Sequence, residues 1–315
     1  MSVVKLKPFL AQKSSDRRKM DKSRIIIPVY GIDDSMIGVS IDGWKIKTIS
    51  SAVDSEEIIP GVKNTKLLFQ ISNYLESESM FVKLSFDPST ISSEKDQQYV
   101  VFLKDTDNME DIKPVMDALR VYKSSLISCW HPMKYYEGLL LPNGQISYLR
   151  DPLQFEAPNL SLSKEELAQI DLMIQKRRAK LYPQNVDSML MFFHIACSTS
   201  NRYLAFVMRV TILEMLIQGN AELSFRLKQH VAVLLGRDKA ESERIASNVK
   251  TLYDARSKFL HEGDAAKVTD EVMKNAYEYS RRVIASLLYL TEDMKTIRKT
   301  LEQAGYGDNP YNAAP

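Results

Sequence analysis

Cysteine and histidine are scarce in this 315-residue chain, which holds two of the first and four of the second. Cys129 and Cys197 lie far apart with no ligand spacing, so neither a zinc site nor a disulfide framework is expected. Such cysteine usage suits a reducing compartment, and the expected location is the cytoplasm. No apolar run is long enough to span a bilayer. The opening residues Met1 to Lys7 lack the apolar core and small-residue cleavage site of a secretory signal. An excess of one charge is also missing. The 42 basic residues against 40 acidic leave a formal charge of +2, so RNA, if bound, must meet a local patch rather than a uniformly basic surface. A phosphate-binding glycine loop, a nucleophile elbow, a zinc-ligand helix and internal repeats are all absent from the sequence, and no cofactor or metal is expected.

What is present divides in two. The length favours two domains. Residues 1–23 are rich in Lys, Arg and Ser and read as a flexible basic arm. Strand signals dominate residues 24–155, which read as an α+β domain of sensing or regulatory type. Ile25 to Gly31 is β-branched and ends in a turn residue. Met36 to Ile41 and Trp44 to Ile49 flank Asp42-Gly43, a dipeptide suited to a type I′ hairpin, with Ile37, Val39 and Ile41 on one face. Further strands are expected at 81–86 and 99–103, and another hairpin around Leu139 to Leu149. Ile112, Met116, Leu119 and Tyr122 recur at helical spacing, and Pro114 delays the helix start. Trp130 and His131 suggest a pocket only by residue type.

After a proline-interrupted stretch at 151–160 the pattern turns helical, and residues 160–300 read as an all-α bundle. Ser163 with Glu166 and Asp238 with Glu241 are capping-box pairs. Helices are expected from Ser163 to Tyr182, Val186 to Cys197, Arg202 to Gln218, Leu223 to Gly236, Asp238 to about Gly263, and from Thr269 onward as a last long helix. Residues 301–315 are rich in Gly, Asn, Pro and Ala and read as a disordered tail. His194 reads as a satisfied core histidine and His230 as a surface one.

The sharpest pattern lies at the end of the penultimate helix: Tyr253-x-x-Arg256-Ser257-x-x-x-His261-x-Gly263. Arginine grips a phosphate with paired hydrogen bonds, and histidine moves protons near neutral pH. On one helix the two side chains point ~140° apart. They converge only if the helix frays before His261 or if a second copy meets the first. Without convergence they are a salt-bridged arginine and a helix-capping histidine.

This pattern, set in a helical bundle and followed by one more long helix, resembles the HEPN superfamily, and within it the Apea-like HEPN group. The likeness spans about residues 186–292. The group's motif is an arginine and a histidine four to six residues apart, with a polar residue after the arginine, here Ser257. The earlier helix with Arg209, Leu213 and Glu214 resembles the one that carries a leucine–glutamate pair in that group. The resemblance implies an all-α HEPN-like bundle that forms a homodimer with the motifs of both protomers facing each other. It implies a metal-independent endoribonuclease in which His261 transfers protons at the 2′-hydroxyl or leaving oxygen and Arg256 holds the phosphate. Products would be 2′,3′-cyclic phosphate and 5′-hydroxyl ends, and DNA would be spared. Glu214, Ser257 and Tyr253 would support the pair. It further implies a toxin or abortive anti-phage effector, with a phage-derived or small-molecule trigger acting on the first domain. Lys258, Arg209 and the run Lys176-Arg177-Arg178 are the candidates for RNA phosphate contacts, although a charged run on a helix is more often a solvated face. The alternative is a non-catalytic HEPN module for binding or dimerisation.

Overall fold

A run of β-branched residues, Ile25-Ile26-Ile27, is buried on both faces and makes strand β1 (Arg24–Tyr30) the middle of the main sheet. The computed structural model describes residues 24–50, 52–54, 66–72, 81–85, 98–129, 132–136, 139–142, 157–218 and 222–311. The expected arm at 1–23, the second half of the hairpin around 143–150, and Trp130 and His131 lie outside them. The strands after β1 are β2 (Ser40–Ile41), β3 (Trp44–Ser50), β4 (Ala52–Asp54), β5 (Lys66–Ser72), β6 (Phe81–Ser85), β7 (Gln98–Asp105), β8 (Ser128–Cys129), β9 (Met133–Tyr136) and β10 (Leu139–Pro142). The main sheet has the order β10-β9-β1-β7-β3-β2, with β8 also on β1, and β4-β5-β6 form a second sheet. Among the described residues the named strands all pair antiparallel, and an isolated bridge between Ile32 and Leu160 is parallel.

The Asp42-Gly43 turn forms as its sequence requires. Both residues have positive φ, 51° and 79°, and Ile41 faces Trp44 across the hairpin. The first arm is shorter than the alternation suggested. Asp34–Met36 is a 3₁₀ turn capped by Asp33, Gly38 turns the chain with φ 88°, and Ile37 is exposed rather than sharing the face of Ile41.

Helix α1 (Lys113–Tyr122) begins one residue before Pro114, where a missing N–H costs nothing, after a 3₁₀ turn at Met109–Ile112. The other helices are α2 (Lys164–Ala179), α3 (Asn185–Ser198), α4 (Arg202–Glu214), α5 (Leu223–Leu235), α6 (Lys239–Glu262), α7 (Asp270–Tyr289) and α8 (Met294–Gln303). The expected starts hold: Ser163 and Glu166 form a full capping box, and Thr269 accepts from the Val272 N–H. At α6, Asp238 caps the Glu241 N–H, but Glu241 itself turns to Arg237. The expected single last helix is two. Leu290 leaves helical geometry, and Asp293 caps α8 through the Thr296 N–H.

The chain thus runs from an antiparallel sheet region to a helical region, and one continuous apolar core includes side chains of both. Helix α1 lies at the junction and is buried nearly all round. Its Asp117 carboxylate, almost fully buried, accepts from Arg177 Nε of α2 at 3.0 Å and contacts His194 Nε2 of α3 at 2.8 Å. Its C-terminal carbonyls, those of Val121 and Tyr122, accept from Arg281 of α7 at 2.7 and 2.6 Å. The segment expected as the start of a disordered tail is tied down instead. Gly307 N–H donates to Ser242 Oγ, Asn309 Nδ2 donates to the Leu234 carbonyl, and Tyr306 and Tyr311 pack on the core. Composition gave no hint that these two rings have a surface to cover.

Burial alone would push the Asp117 carboxyl up, but His194 and Arg177 hold it below the usual carboxylate range. A depressed acid stabilises the fold above its unfolded value and loses that contribution as pH falls through the folded one. Asp117→Ala, which leaves Arg177 with only the more exposed Asp187 and takes the carboxylate from His194, should therefore cost ~1.5–3 kcal/mol in urea unfolding at pH 7. The acid-induced loss below about pH 4 should flatten in Asp117→Asn. A cost under ~1 kcal/mol would contradict this role for Asp117.

Candidate active site

Helix α6 carries the motif because its apolar stripe, Ile245, Val249 and Leu252, is buried along the bundle. Arg256 comes four residues after Leu252 and sits at the stripe's edge, with 26% of its side chain exposed. The helix does not fray. It is regular through Glu262 and stops at Gly263, whose left-handed conformation (φ 70°) lets its N–H reach the Phe259 carbonyl at 3.1 Å. Arg256 and His261 therefore leave one chain in different directions, ~140° apart and ~7.5 Å along the axis.

Glu214 is the partner that α6 finds. It is the last residue of α4, and its Oε2 lies 3.4 Å from Arg256 Nη2. Arg256 Nε is buried and has no acceptor among the described residues. Burial pushes the Glu214 carboxyl up, and Arg256 opposes that shift by favouring the charged form. Helix α4 was expected to reach Gln218. It ends at Glu214 because Arg298 of α8 takes the carbonyls just beyond it, Nε to Leu216 and Nη2 to Met215, both at 3.0 Å. That contact fixes where Glu214 stands, and nothing near it in sequence announces it.

The motif residues fall on two faces of α6. Tyr253 and Arg256, three apart, are neighbours on one face, with Glu214 against the arginine. Tyr253 is half-buried and lines an open groove with Glu222, Leu223, Ser224 and Phe225 at the start of α5. Lys258 and His261, also three apart, share another face, where His261 is exposed and Lys258 is half-buried without an ion-pair partner among the described residues. Ser257 follows Arg256 and is half-buried. Phe259 stacks on Tyr203 of α4 at 5.2 Å, and Leu260 is exposed beside them in sequence.

Four of the five cations expected to meet RNA are committed elsewhere. Arg209 is 1% exposed and lies over the Tyr277 ring at 5.1 Å, so it cannot reach a phosphate in solvent. Lys176 donates to the Tyr289 carbonyl. Arg177 binds Asp117 and, at 2.7 Å, Asp187. Arg178 binds Asp42 and, at 2.6 Å, Asp111. The run Lys176-Arg177-Arg178 is a clasp that ties α2 to the sheet region, α1, α3 and α7. Of the five, only Lys258 keeps its ammonium without an ion-pair or hydrogen-bond partner among the described residues.

Two histidines also differ in setting from each other. His194 Nε2 lies 2.8 Å from the Asp117 carboxylate, but 28% of the side chain is exposed, so it is not the satisfied core histidine expected. His230 is not on the surface: it is 0% exposed, its Nδ1 lies 3.3 Å from the Leu216 carbonyl, and burial holds its imidazole below the usual range. Cys129 and Cys197 are buried, and among the described residues no three His, Cys, Asp or Glu side chains gather as a metal site requires. No described helix is long and apolar enough to cross a membrane. No protein family, curated protein or solved structure matches the chain.

Removing the cation that opposes burial at Glu214 should move that carboxyl further up. In Arg256→Ala, a ¹³C-detected titration of Glu214 should shift to higher pH relative to the native chain. An unchanged titration would show that the two groups do not interact.

Proposed function

We propose that the chain is a metal-independent endoribonuclease of the HEPN type, acting as a homodimer. The observation that carries this reading is the division of the motif on α6. Arg256 is half-exposed and oriented by a carboxylate, His261 is exposed and unpaired among the described residues, and a regular helix keeps them apart. Neither half is a complete catalyst, and a two-fold axis that sets one protomer's Arg256 face against the other's His261 face would complete two copies at once. Leu260, four residues after Arg256 and so on the same face of α6, is also exposed and can join that face to a second copy.

In the completed site Arg256 holds the scissile phosphate, its guanidinium braced by Glu214, and takes up the charge that develops on the phosphoryl oxygens. His261 removes the 2′-hydroxyl proton, or delivers one to the departing 5′ oxygen. The 2′ oxygen attacks phosphorus, the bond to the 5′ oxygen breaks, and the ends are a 2′,3′-cyclic phosphate and a 5′-hydroxyl. Lys258, beside His261, adds a phosphate contact. A toxin or abortive anti-phage role, with the sheet region as the sensing part, follows from the HEPN resemblance alone.

Purified protein incubated with RNA in excess EDTA should cut it, leaving cyclic phosphate ends. Arg256→Ala and His261→Ala should each lower the rate ~10²-fold or more. Cleavage unchanged in both variants would refute the assignment. A folded dimer that binds RNA without cutting it would favour the non-catalytic HEPN module.

A further inference from the structure

We propose that the groove between the start of α5 and the middle of α6 is a nucleobase subsite for single-stranded RNA, adjoining Arg256; the assignment rests on the ribonuclease reading above. The groove is open and is walled by Phe225 from one helix and Tyr253 from the other. Phe225 is the informative residue. Leu227, Val231 and Leu234 of the same helix are buried, whereas Phe225 lies off their stripe and is 55% exposed, so the core does not explain it. Lys228 lies over one face of the ring, and the other face gains from a flat partner; nucleic-acid bases are the flat partners that aromatic rings accept irrespective of sequence.

Charge on the rim fits the same occupant. Lys228 places its Nζ 5.2 Å from the Phe225 ring centroid, and Arg256 stands one turn beyond Tyr253 on α6. A base stacked against Phe225 thus lies beside Lys228, while the phosphate-holding arginine stands outside the groove, one turn along α6 from Tyr253. Inside the groove, Glu222 and Ser224 offer acceptors and a hydroxyl to a base edge. One nucleotide can then be gripped at its base by the groove and at its phosphate by Arg256, which would seat the neighbouring 2′-hydroxyl for attack.

The test uses the full chain and a fluorescent single-stranded RNA carrying 2′-O-methyl at every ribose, so that binding is read by anisotropy without turnover. A second oligonucleotide has abasic positions. Phe225→Ala should bind the intact RNA ~5- to 100-fold more weakly, with an unchanged melting temperature because the ring is exposed. Phe225→Trp should restore binding. The abasic RNA should bind the native chain weakly and lose nothing further in Phe225→Ala. Equal binding of intact RNA by Phe225→Ala and the native chain, no binding by the native chain, or an equal loss on abasic RNA, would each overturn the subsite. A chain that binds this RNA through Phe225 but never cuts RNA would keep the subsite and lose the nuclease. A chain that cuts RNA with Phe225 dispensable for binding would do the reverse.

Discussion

Helix α6 is regular for 24 residues, and that regularity governs the site. A break before His261 would have allowed Arg256 and His261 to meet on one chain. Instead the cap at Gly263 comes two residues after the histidine and holds it in the last turn. The geometry of an unbroken helix then sends the two groups to separate faces, each with its own neighbour: Tyr253 beside Arg256 and Lys258 beside His261. The chemistry assigned to the pair needs both on one phosphate, so the helix turns a question about catalysis into one about association.

The Arg256 face is built by contacts that arrive from far along the chain. Glu214 stands at the end of α4, that end is fixed by Arg298 of α8, and the residues past Gln303 fold back to close over α5 and α6. The Asp117 carboxylate joins α1 to α2 and α3, and Arg178 joins α2 to the sheet region through Asp42. A buried carboxylate held by an arginine and a histidine is strongly position-dependent, since its loss takes a partner from two helices at once. That makes the junction a place where a change in the sheet region would be felt by α2 and α3, whose ends carry the partners.

Helix starts were legible in the sequence because caps are local. Ser163, Asp238 and Thr269 each bond an amide three residues on, and no distant group is needed. Helix ends and cation partners were not legible, for the opposite reason. Nothing near Gln218 says that Arg298 will take the Leu216 carbonyl, and nothing near Arg178 says that Asp42 and Asp111 will meet it. Arg209 looks like any helical cation until Tyr277 is placed beneath it. Phe225 did carry a signal, an aromatic residue out of phase with the Leu227, Val231 and Leu234 stripe, but only folding brings Tyr253 opposite. The Arg256–Glu214 pair joined residues that the HEPN resemblance had already set together, whereas the separation of Arg256 from His261 was open between a frayed and a continuous helix until the cap was seen.

The central claim is that a working site takes Arg256 from one protomer and His261 from its partner. It is tested most directly by co-expressing Arg256→Ala and His261→Ala chains, each inactive alone, and assaying RNA cleavage by the mixture. In a two-fold dimer about half of the assemblies are mixed, and each of these restores one of its two shared sites, so about a quarter of native activity should return. No recovery above the single variants, in a mixture shown to contain mixed dimers, would contradict a shared site.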